Sequence, residues 1–167
     1  MKSSEITLIA LFASLTAIGA QIQLPIEIVP ISLQTLFVLA AGGILGRKGA
    51  LVMMVYLFIG LIGMPVFAGY KGGAGVLLGP TGGYIIGFIP AAYVTGFLTE
   101  KKKNMFLAMV TASFIVYLFG VPWLCFFVGS TKKAVLIGMI PFIPGDILKS
   151  FGASVVTKEV RRYYSFS

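Results

Sequence analysis

Long apolar runs, separated by short polar or glycine-rich segments, are the feature that most constrains this chain. A helix needs about 20 mainly apolar residues to cross a hydrocarbon core of roughly 30 Å. Six runs are candidates, at residues 6 to about 24, 33–45, 50–63, 81–98, 105–128 and about 135–156. The second and third are short, so we expect them to be tilted, to cover part of the bilayer, or to extend into their glycine-rich flanks. The sequence therefore predicts an all-α integral membrane protein with six transmembrane helices, forming a single transmembrane domain over residues 1–167.

The composition agrees with a lipid environment and excludes several kinds of chemistry. Apolar residues make up 58% of the chain and charged residues 11%, whereas about a quarter of a soluble protein is charged. With no histidine, the chain lacks the commonest metal ligand and the base of a Ser-His pair. Cys125 is the only cysteine, so no intramolecular disulfide can form. We therefore expect neither an enzyme nor a resident cofactor or metal.

The positive charges predict an orientation, because loops that face the cytoplasm carry an excess of Lys and Arg. Six crossings put both termini on one side of the membrane. Nine of the 13 cations then lie on the side of the termini, three lie on the opposite side, and Lys149 lies inside the last span. The nine are Lys2, Arg47, Lys48, Lys101, Lys102, Lys103, Lys158, Arg161 and Arg162, and the three are Lys71, Lys132 and Lys133. We expect a multi-pass protein of the cell membrane with both termini cytoplasmic, whose net charge of +8 requires no nucleic acid.

Small residues recur at every fourth position in and just before the fourth predicted helix. The series is Gly79, Gly83, Gly87, Ala91, Thr95 and Thr99. Such a face lets another helix backbone approach closely. It is explained either by packing within the protein or by docking of another membrane protein.

The last run combines two prolines with a pair of opposite charges. Pro141 and Pro144 disfavour an unbroken helix, so we expect a helix to restart near Pro144. Asp146 and Lys149 are three residues apart and would share one face of that helix. A charged side chain inside a bilayer is costly unless it is paired or solvated. The pair is therefore either structural or, as we favour, part of a ligand site that faces a cavity.

The segment from residue 63 to residue 84 is too rich in glycine for a continuous helix and too apolar for a plain hydrophilic loop. We expect it to form a lid loop between helices three and four that folds over a pocket. It contains no Gly-x-x-x-x-Gly-Lys-Ser/Thr phosphate loop, and its glycines do not complete a dinucleotide-binding fingerprint. The sequence thus shows no means of hydrolysing ATP, and an ATP-driven process would need another subunit.

Three further positions carry weaker signals. Gln34 lies near the start of the second run, where its amide would either donate a hydrogen bond to a ligand or cap the helix. Gln21 lies at the edge of the first outer loop, where solvation alone explains it. Trp123, at the outer end of the fifth run, fits an interfacial aromatic belt better than a ligand wall.

Five motifs occur along the chain between about residue 8 and residue 149. In order they are Pro-Ile-Ser-Leu-Gln-Thr-Leu, Gly-Leu-Ile-Gly-Met-Pro-Val-Phe-Ala-Gly, Gly-Pro-Thr-Gly-Gly-Tyr, Gly-Val-Pro-Trp and Pro-Phe-Ile-Pro-Gly-Asp-Ile-Leu-Lys. Together they closely resemble the BioY family, the biotin-specific substrate-binding (S) components of energy-coupling factor (ECF) transporters. The resemblance implies high-affinity biotin binding and biotin uptake, with six transmembrane helices, cytoplasmic termini and a pocket open to the outside. It also implies a transmembrane coupling protein and two cytoplasmic ATPases as partners.

The resemblance also implies which residues surround the ligand. By position it makes Asp146 and Lys149 pocket residues, with Gln34, Lys71, Thr81 and Tyr84 nearby. At Tyr70-Lys71 the sequence departs from the small-residue pair or Gly-Arg of the family pattern. Ala13 and Ala17 in helix one match the spacing of the family's docking surface for the coupling protein.

The chemistry of biotin suggests a role for each pocket residue. Biotin has a ureido ring with two N–H donors and one carbonyl, an apolar sulfur ring and a carboxylate. We expect Asp146 to accept from a ureido N–H and Lys149 to donate to the ureido carbonyl. Lys71 or exposed N–H groups of the lid would receive the carboxylate, and Phe67 and Tyr84 would wall the rings.

Other function classes make different demands on the chain. A membrane hydrolase or transferase would need a nucleophile with its base, or a pair of metal-binding carboxylates, and Asp146 is the only acidic residue within a predicted span. A structural or assembly subunit would carry no ligand. An S component for another small vitamin would carry a different one.

Overall fold

The computed structural model describes residues 3–25, 28–101 and 104–163, and this part of the chain is almost entirely helical. Its α-helices are α1 (Ser3–Gln21), α2 (Gln34–Leu45), α3 (Gly49–Leu61), α4 (Ala74–Leu78), α5 (Gly82–Glu100), α6 (Met105–Val128), α7 (Thr131–Gly138) and α8 (Ile143–Tyr163). Two short strands, β1 (Gln23–Leu24) and β2 (Ile31–Ser32), pair antiparallel between α1 and α2. Lys2, Lys102 and Lys103, which enter the orientation count, lie outside the described residues.

Within the described residues, five stretches are long and apolar enough to cross a membrane. They are Ser3–Gln21, Gln34–Leu61, Gly82–Glu100, Met105–Val128 and Thr131–Tyr163. Large apolar side chains such as Leu118, Phe126 and Leu148 are at least 70% exposed, whereas Thr95 and Ser150 are completely buried. Apolar groups outside and polar groups inside are the arrangement that a lipid surrounding requires. The predicted all-α membrane protein is confirmed.

The second stretch, Gln34–Leu61, is a hairpin of two helices rather than one crossing. A tight 3-10 turn after α2 reverses the chain, so that a Cβ on Gly49 would lie only 2.6 Å from Cα of Gly42. Gln34 at the start of α2 bonds to Tyr56 in α3, which requires the two helices to be antiparallel. With 12 and 13 residues, each is about 18–20 Å long. The described chain thus has six long helices, two of which are too short to cross a bilayer of ordinary thickness alone.

Helices α5 and α6 approach closely because α5 presents small residues to α6. A Cβ on Gly83 would lie 2.3 Å from Cβ of Trp123, and a Cβ on Gly87 would lie 3.2 Å from Cβ of Phe119. Farther along the same series, Thr95 is completely buried. The small-residue series is therefore explained by packing within the protein, and the docking alternative is wrong for it.

The last stretch is interrupted, and the predicted restart near Pro144 is confirmed. Helix α7 ends at Gly138, a 3-10 turn follows, and α8 begins at Ile143. Pro144 therefore lies in the first turn of α8, where its missing N–H leaves no helical hydrogen bond unmade. Asp146 lies in the same turn, where the helix dipole favours a negative charge.

Ion pairs and a hydrogen bond bring four chain segments together at one end of the bundle. Lys48 in the α2–α3 turn pairs with Glu5 of α1 at 2.6 Å, and Arg47 pairs with Glu100 at the end of α5 at 2.8 Å. Arg161, near the end of α8, donates to the last turn of α5 at 3.5 Å. The start of α1 and the end of α8 therefore lie at the same end, as six helices that alternate in direction require.

Candidate functional site

A cavity lies between helices α2, α5, α6 and α8 and the loops that precede α2 and α5. Its empty space is about 730 Å³, a volume that includes the part open to solvent. Most of its lining is apolar or aromatic. All seven residues that the sequence assigns to a pocket line it: Asp146, Lys149, Gln34, Lys71, Thr81, Tyr84 and Phe67.

A buried ion pair forms the charged part of the wall. Nζ of Lys149 lies 2.8 Å from Oδ1 of Asp146, and the two side chains are only 8% and 9% exposed. A buried pair of charges is tolerated when its geometry is good and further hydrogen bonds satisfy the remaining atoms. Tyr117 of α6 supplies such a bond, because its hydroxyl donates to Oδ2 of Asp146. The carboxylate is thus held by two helices.

Tyr117 is a site residue that the sequence did not reveal. It is buried and lines the cavity, but it lies in the middle of the apolar α6, 29 residues before its partner Asp146. The available signal was general: a tyrosine hydroxyl buried within a span normally has a hydrogen-bond partner. Nothing in the sequence indicates which partner that is.

A second polar group of the wall lies at the start of α2. Ser32 Oγ donates to Oε1 of Gln34 at 3.0 Å, and Nε2 of Gln34 donates to the hydroxyl of Tyr56 at 2.6 Å. The N-cap of α2 is Leu33, and no side chain caps the helix there. The capping alternative for Gln34 is therefore wrong. Its amide lies at the cavity wall and does not cap α2.

The segment between α3 and α5, residues 62–81, contributes one side of the cavity, and we call it the lid segment because the sequence predicts a lid there. Phe67 and Lys71 form an antiparallel bridge, with N of Phe67 2.9 Å from O of Lys71. The turn between them contains positive φ angles of 75° at Gly69 and 57° at Tyr70. The ring of Phe67 is fully buried and meets Tyr56 edge to face, with centroids 5.6 Å apart.

Two side chains from neighbouring helices hold the lid segment in place. Gln21 of α1 donates to O of Phe67 at 3.1 Å and accepts from N of Tyr70 at 2.9 Å. Trp123 of α6 donates through its indole N–H to O of Gly79 at 2.9 Å. The interpretation of Gln21 as a merely solvated residue is therefore wrong. Trp123 also holds the lid segment, a role that an interfacial aromatic belt does not predict.

The remaining predicted residues, Tyr84, Lys71 and Thr81, line the cavity in different ways. Tyr84 donates its hydroxyl to O of Gly138 at 2.9 Å, so its only O–H is already used and its ring faces the cavity. Lys71 is exposed while lining the cavity, which puts it where the cavity meets solvent. Thr81 precedes α5 as its N-cap residue, but its hydroxyl makes no capping bond.

Comparison with known proteins decides the family. The model that describes the BioY family matches residues 1–166. The chain belongs to the BioY family. It is 43% identical over 162 residues to the probable biotin transporter BioY of Pyrococcus horikoshii, covering 96% of this chain and 98% of that one. It is 41% identical over 156 residues to the biotin transporter BioY of Thermotoga maritima, covering 91% and 92%.

A solved structure has the same fold. The crystal structure of the S-component for biotin from an ECF-type ABC transporter matches with a TM-score of 0.82 and 31% identity. The match covers 97% of this chain and 95% of that chain, so the two proteins share the overall helical arrangement. The family is one of transporter substrate-binding components and not of enzymes.

Helix α1 contains Ala13 and Ala17, where the sequence predicts a docking surface for the coupling protein. Ala13 is only 3% exposed and belongs to the apolar core of this chain, whereas Ala17 is half-buried. In this structure Ala13 therefore packs against its own chain. The docking role of the two alanines stays a prediction.

Proposed function

We propose that this chain is the biotin-binding S component of an ECF transporter, which takes up biotin from outside the cell membrane and delivers it inward. The observation that carries this proposal is a cavity with apolar walls that contains the buried Asp146–Lys149 pair. An apolar pocket with a few fixed polar groups is the usual form of a small-molecule site. The names of the relatives, biotin transporters at 43% and 41% identity, support biotin as the ligand.

The ion pair is suited to the two kinds of group on a ureido ring. Each carboxylate oxygen accepts more than one hydrogen bond, and an ammonium group has three N–H donors. After pairing with each other, Asp146 keeps acceptor capacity for a ureido N–H and Lys149 keeps donors for the ureido carbonyl. Because both charges are already buried and paired, binding the ligand would require little further desolvation of the protein.

The rest of the cavity suits the apolar ring and the carboxylate tail. Phe67 and Tyr84 offer ring surfaces to the sulfur ring and the valerate chain. Lys71, at the exposed edge of the cavity, would pair with the carboxylate, or N–H groups of the lid segment would receive it. Because an exposed ion pair is worth only about 0–1 kcal/mol, we expect Lys71 to contribute less to affinity than Asp146.

The lid segment would close the cavity from the outside. The end of the bundle that holds Arg47, Lys48 and Arg161 would then be cytoplasmic, together with both termini. The excess of cations predicted for the cytoplasmic side supports this orientation. Gln21 and Trp123 hold the lid segment against the helices through hydrogen bonds. Entry of biotin would require some of these bonds to break.

Titration calorimetry with biotin on the purified chain in detergent tests the site. Asp146→Asn keeps the size of the side chain but removes its charge. We expect its affinity to fall at least about tenfold, because hydrogen bonds to charged groups are worth about 1.5–3 kcal/mol. Lys149→Ala should also lower the affinity, because the ureido carbonyl loses its charged donor.

The controls separate binding from folding. Lys132→Ala changes an exposed lysine of α7 away from the cavity and should bind biotin like the wild-type chain. Thermal unfolding without biotin shows whether each variant is folded, and an Asp146→Asn/Lys149→Met chain, which loses both charges, replaces any single variant that is not. Wild-type affinity in both Asp146→Asn and Lys149→Ala would contradict the site.

ATP-driven transport would require partners, because the sequence has no phosphate loop. We propose a transmembrane coupling protein and two cytoplasmic ATPases, with α1 as the docking helix. Ala17 is accessible for docking as the structure stands, whereas Ala13 would become so only if α1 moved away from its neighbours. In proteoliposomes, biotin uptake should depend on ATP and on the complete set of subunits. Uptake that is unaffected when the ATPases are omitted would contradict this part of the proposal.

A further inference from the structure

A chain of hydrogen bonds connects the cavity wall to the lid segment. Ser32 Oγ donates to Oε1 of Gln34, Nε2 of Gln34 donates to the hydroxyl of Tyr56, and this hydroxyl donates to O of Val66, at 3.0, 2.6 and 2.9 Å. Ser32 and Gln34 line the cavity. Tyr56 lies behind them with 1% exposure, and Val66 belongs to the lid segment.

The direction of these bonds follows from the last acceptor. A backbone carbonyl can only accept, so Tyr56 must donate its single O–H to Val66. Towards Gln34 the tyrosine oxygen then acts as an acceptor, and the amide atom that faces it must be the nitrogen. The amide oxygen consequently faces Ser32, whose hydroxyl donates to it. The orientation of an amide is normally ambiguous from its shape, but here the carbonyl of Val66 determines it.

We infer that Tyr56 is a positioning residue for biotin binding that acts through Gln34. This inference rests on the proposed function. The nitrogen of Gln34 has two N–H groups, of which Tyr56 accepts one, so the second is available at the cavity wall. Gln34 therefore presents a hydrogen-bond donor to the ligand and selects an acceptor oxygen at this place.

The Tyr56 hydroxyl makes the orientation of the Gln34 amide depend on the position of the lid segment, because it bonds to both. If Val66 moved away, Tyr56 would be free to donate to Gln34, and the amide could turn over and present its oxygen instead. The ring of Tyr56 is fixed independently of its hydroxyl, because it packs edge to face on Phe67. A phenylalanine at this position would keep the ring contacts, so Tyr56→Phe removes the hydroxyl alone.

Biotin affinities of four purified chains test the inference: wild type, Gln34→Ala, Tyr56→Phe and the double variant. Tyr56→Phe should weaken biotin binding about tenfold, because the amide loses the partner that orients it. In the Gln34→Ala background the same substitution should change the affinity by less than about twofold, since Tyr56 acts through Gln34. Tyr93→Phe, at a tyrosine of α5 that is 44% exposed and does not line the cavity, is the matched control and should bind like the wild type.

Gln34→Glu tests the donor directly, because it replaces the N–H groups by an acceptor of the same shape. It should bind biotin no better than Gln34→Ala. Wild-type affinity in Tyr56→Phe or in Gln34→Glu would overturn the inference, as would an equal effect of Tyr56→Phe with and without Gln34. If the wild-type chain fails to bind biotin, the proposed function itself is overturned and the inference with it.

Discussion

Gly60 determines how closely the lid segment approaches α3. A Cβ at this position would lie 2.1 Å from Cζ of Phe67, so only glycine leaves room for the ring. The seated ring packs against Tyr56 and lines the cavity. The neighbouring carbonyl of Val66 is thereby brought within reach of the Tyr56 hydroxyl. Because Gly60 has no side chain, Phe67 can form its part of the cavity wall and Val66 can help to orient the Gln34 amide.

Gly60→Ala should displace the ring of Phe67 and destabilise the protein by about 1–3 kcal/mol, as overpacking in a core does. Gly75→Ala in α4 is the matched control, because nothing lies within 4 Å of the added Cβ. Both glycines lie near a helix end, where the gain in helix propensity is at most about 1 kcal/mol, so the difference between the two variants mainly reports the clash. Thermal unfolding in detergent measures it. Equal melting temperatures for the two variants would contradict the role of Gly60.

Which residues of the site could be predicted depended on how rare their chemistry is in this chain. Asp146 and Lys149 were predictable because few charges fall within apolar runs and each is costly there. Tyr117 and Tyr56 were not, because an aromatic residue in a span is ordinary, and each bonds a partner more than twenty residues away along the chain. Gln34 was predictable from its place before an apolar run, but the orientation of its amide follows only from its bonds to Ser32 and Tyr56.

Elements whose ends carry local signals were predicted well. Helix α6 covers 105–128 as expected, because the Asn104 side chain accepts from two backbone N–H groups at its start and Gly129 ends it with a positive φ of 69°. The restart of α8 follows from Pro144 in the same way. These boundaries depend on residues adjacent to the helix ends, which the sequence displays directly.

The lid segment shows the opposite case. Its glycine content predicted a loop, but its position depends on Gln21 of α1 and Trp123 of α6, which contact it across 46 and 44 residues of sequence. Likewise, the hairpin of α2 and α3 depends on the close approach of Gly49 to Gly42, and composition alone does not reveal it. Long-range packing therefore determines how this segment and this hairpin lie against the rest of the fold.

The molecule as a whole separates two kinds of charge. Arg47, Lys48 and Arg161 hold chain segments together at one end of the bundle through exposed or partly exposed contacts. Asp146 and Lys149 form a pair inside it. The first group joins neighbouring chain segments, and the buried pair lines the cavity, where we propose that it contacts the ligand.

The central claim is that this cavity holds biotin. Mass spectrometry of the small molecule released from the purified, folded chain, after incubation with a mixture of water-soluble vitamins, tests it most directly. We predict one biotin per wild-type chain and much less from Asp146→Asn. Release of a different vitamin, or of no ligand at all, from the folded wild-type chain would contradict the account.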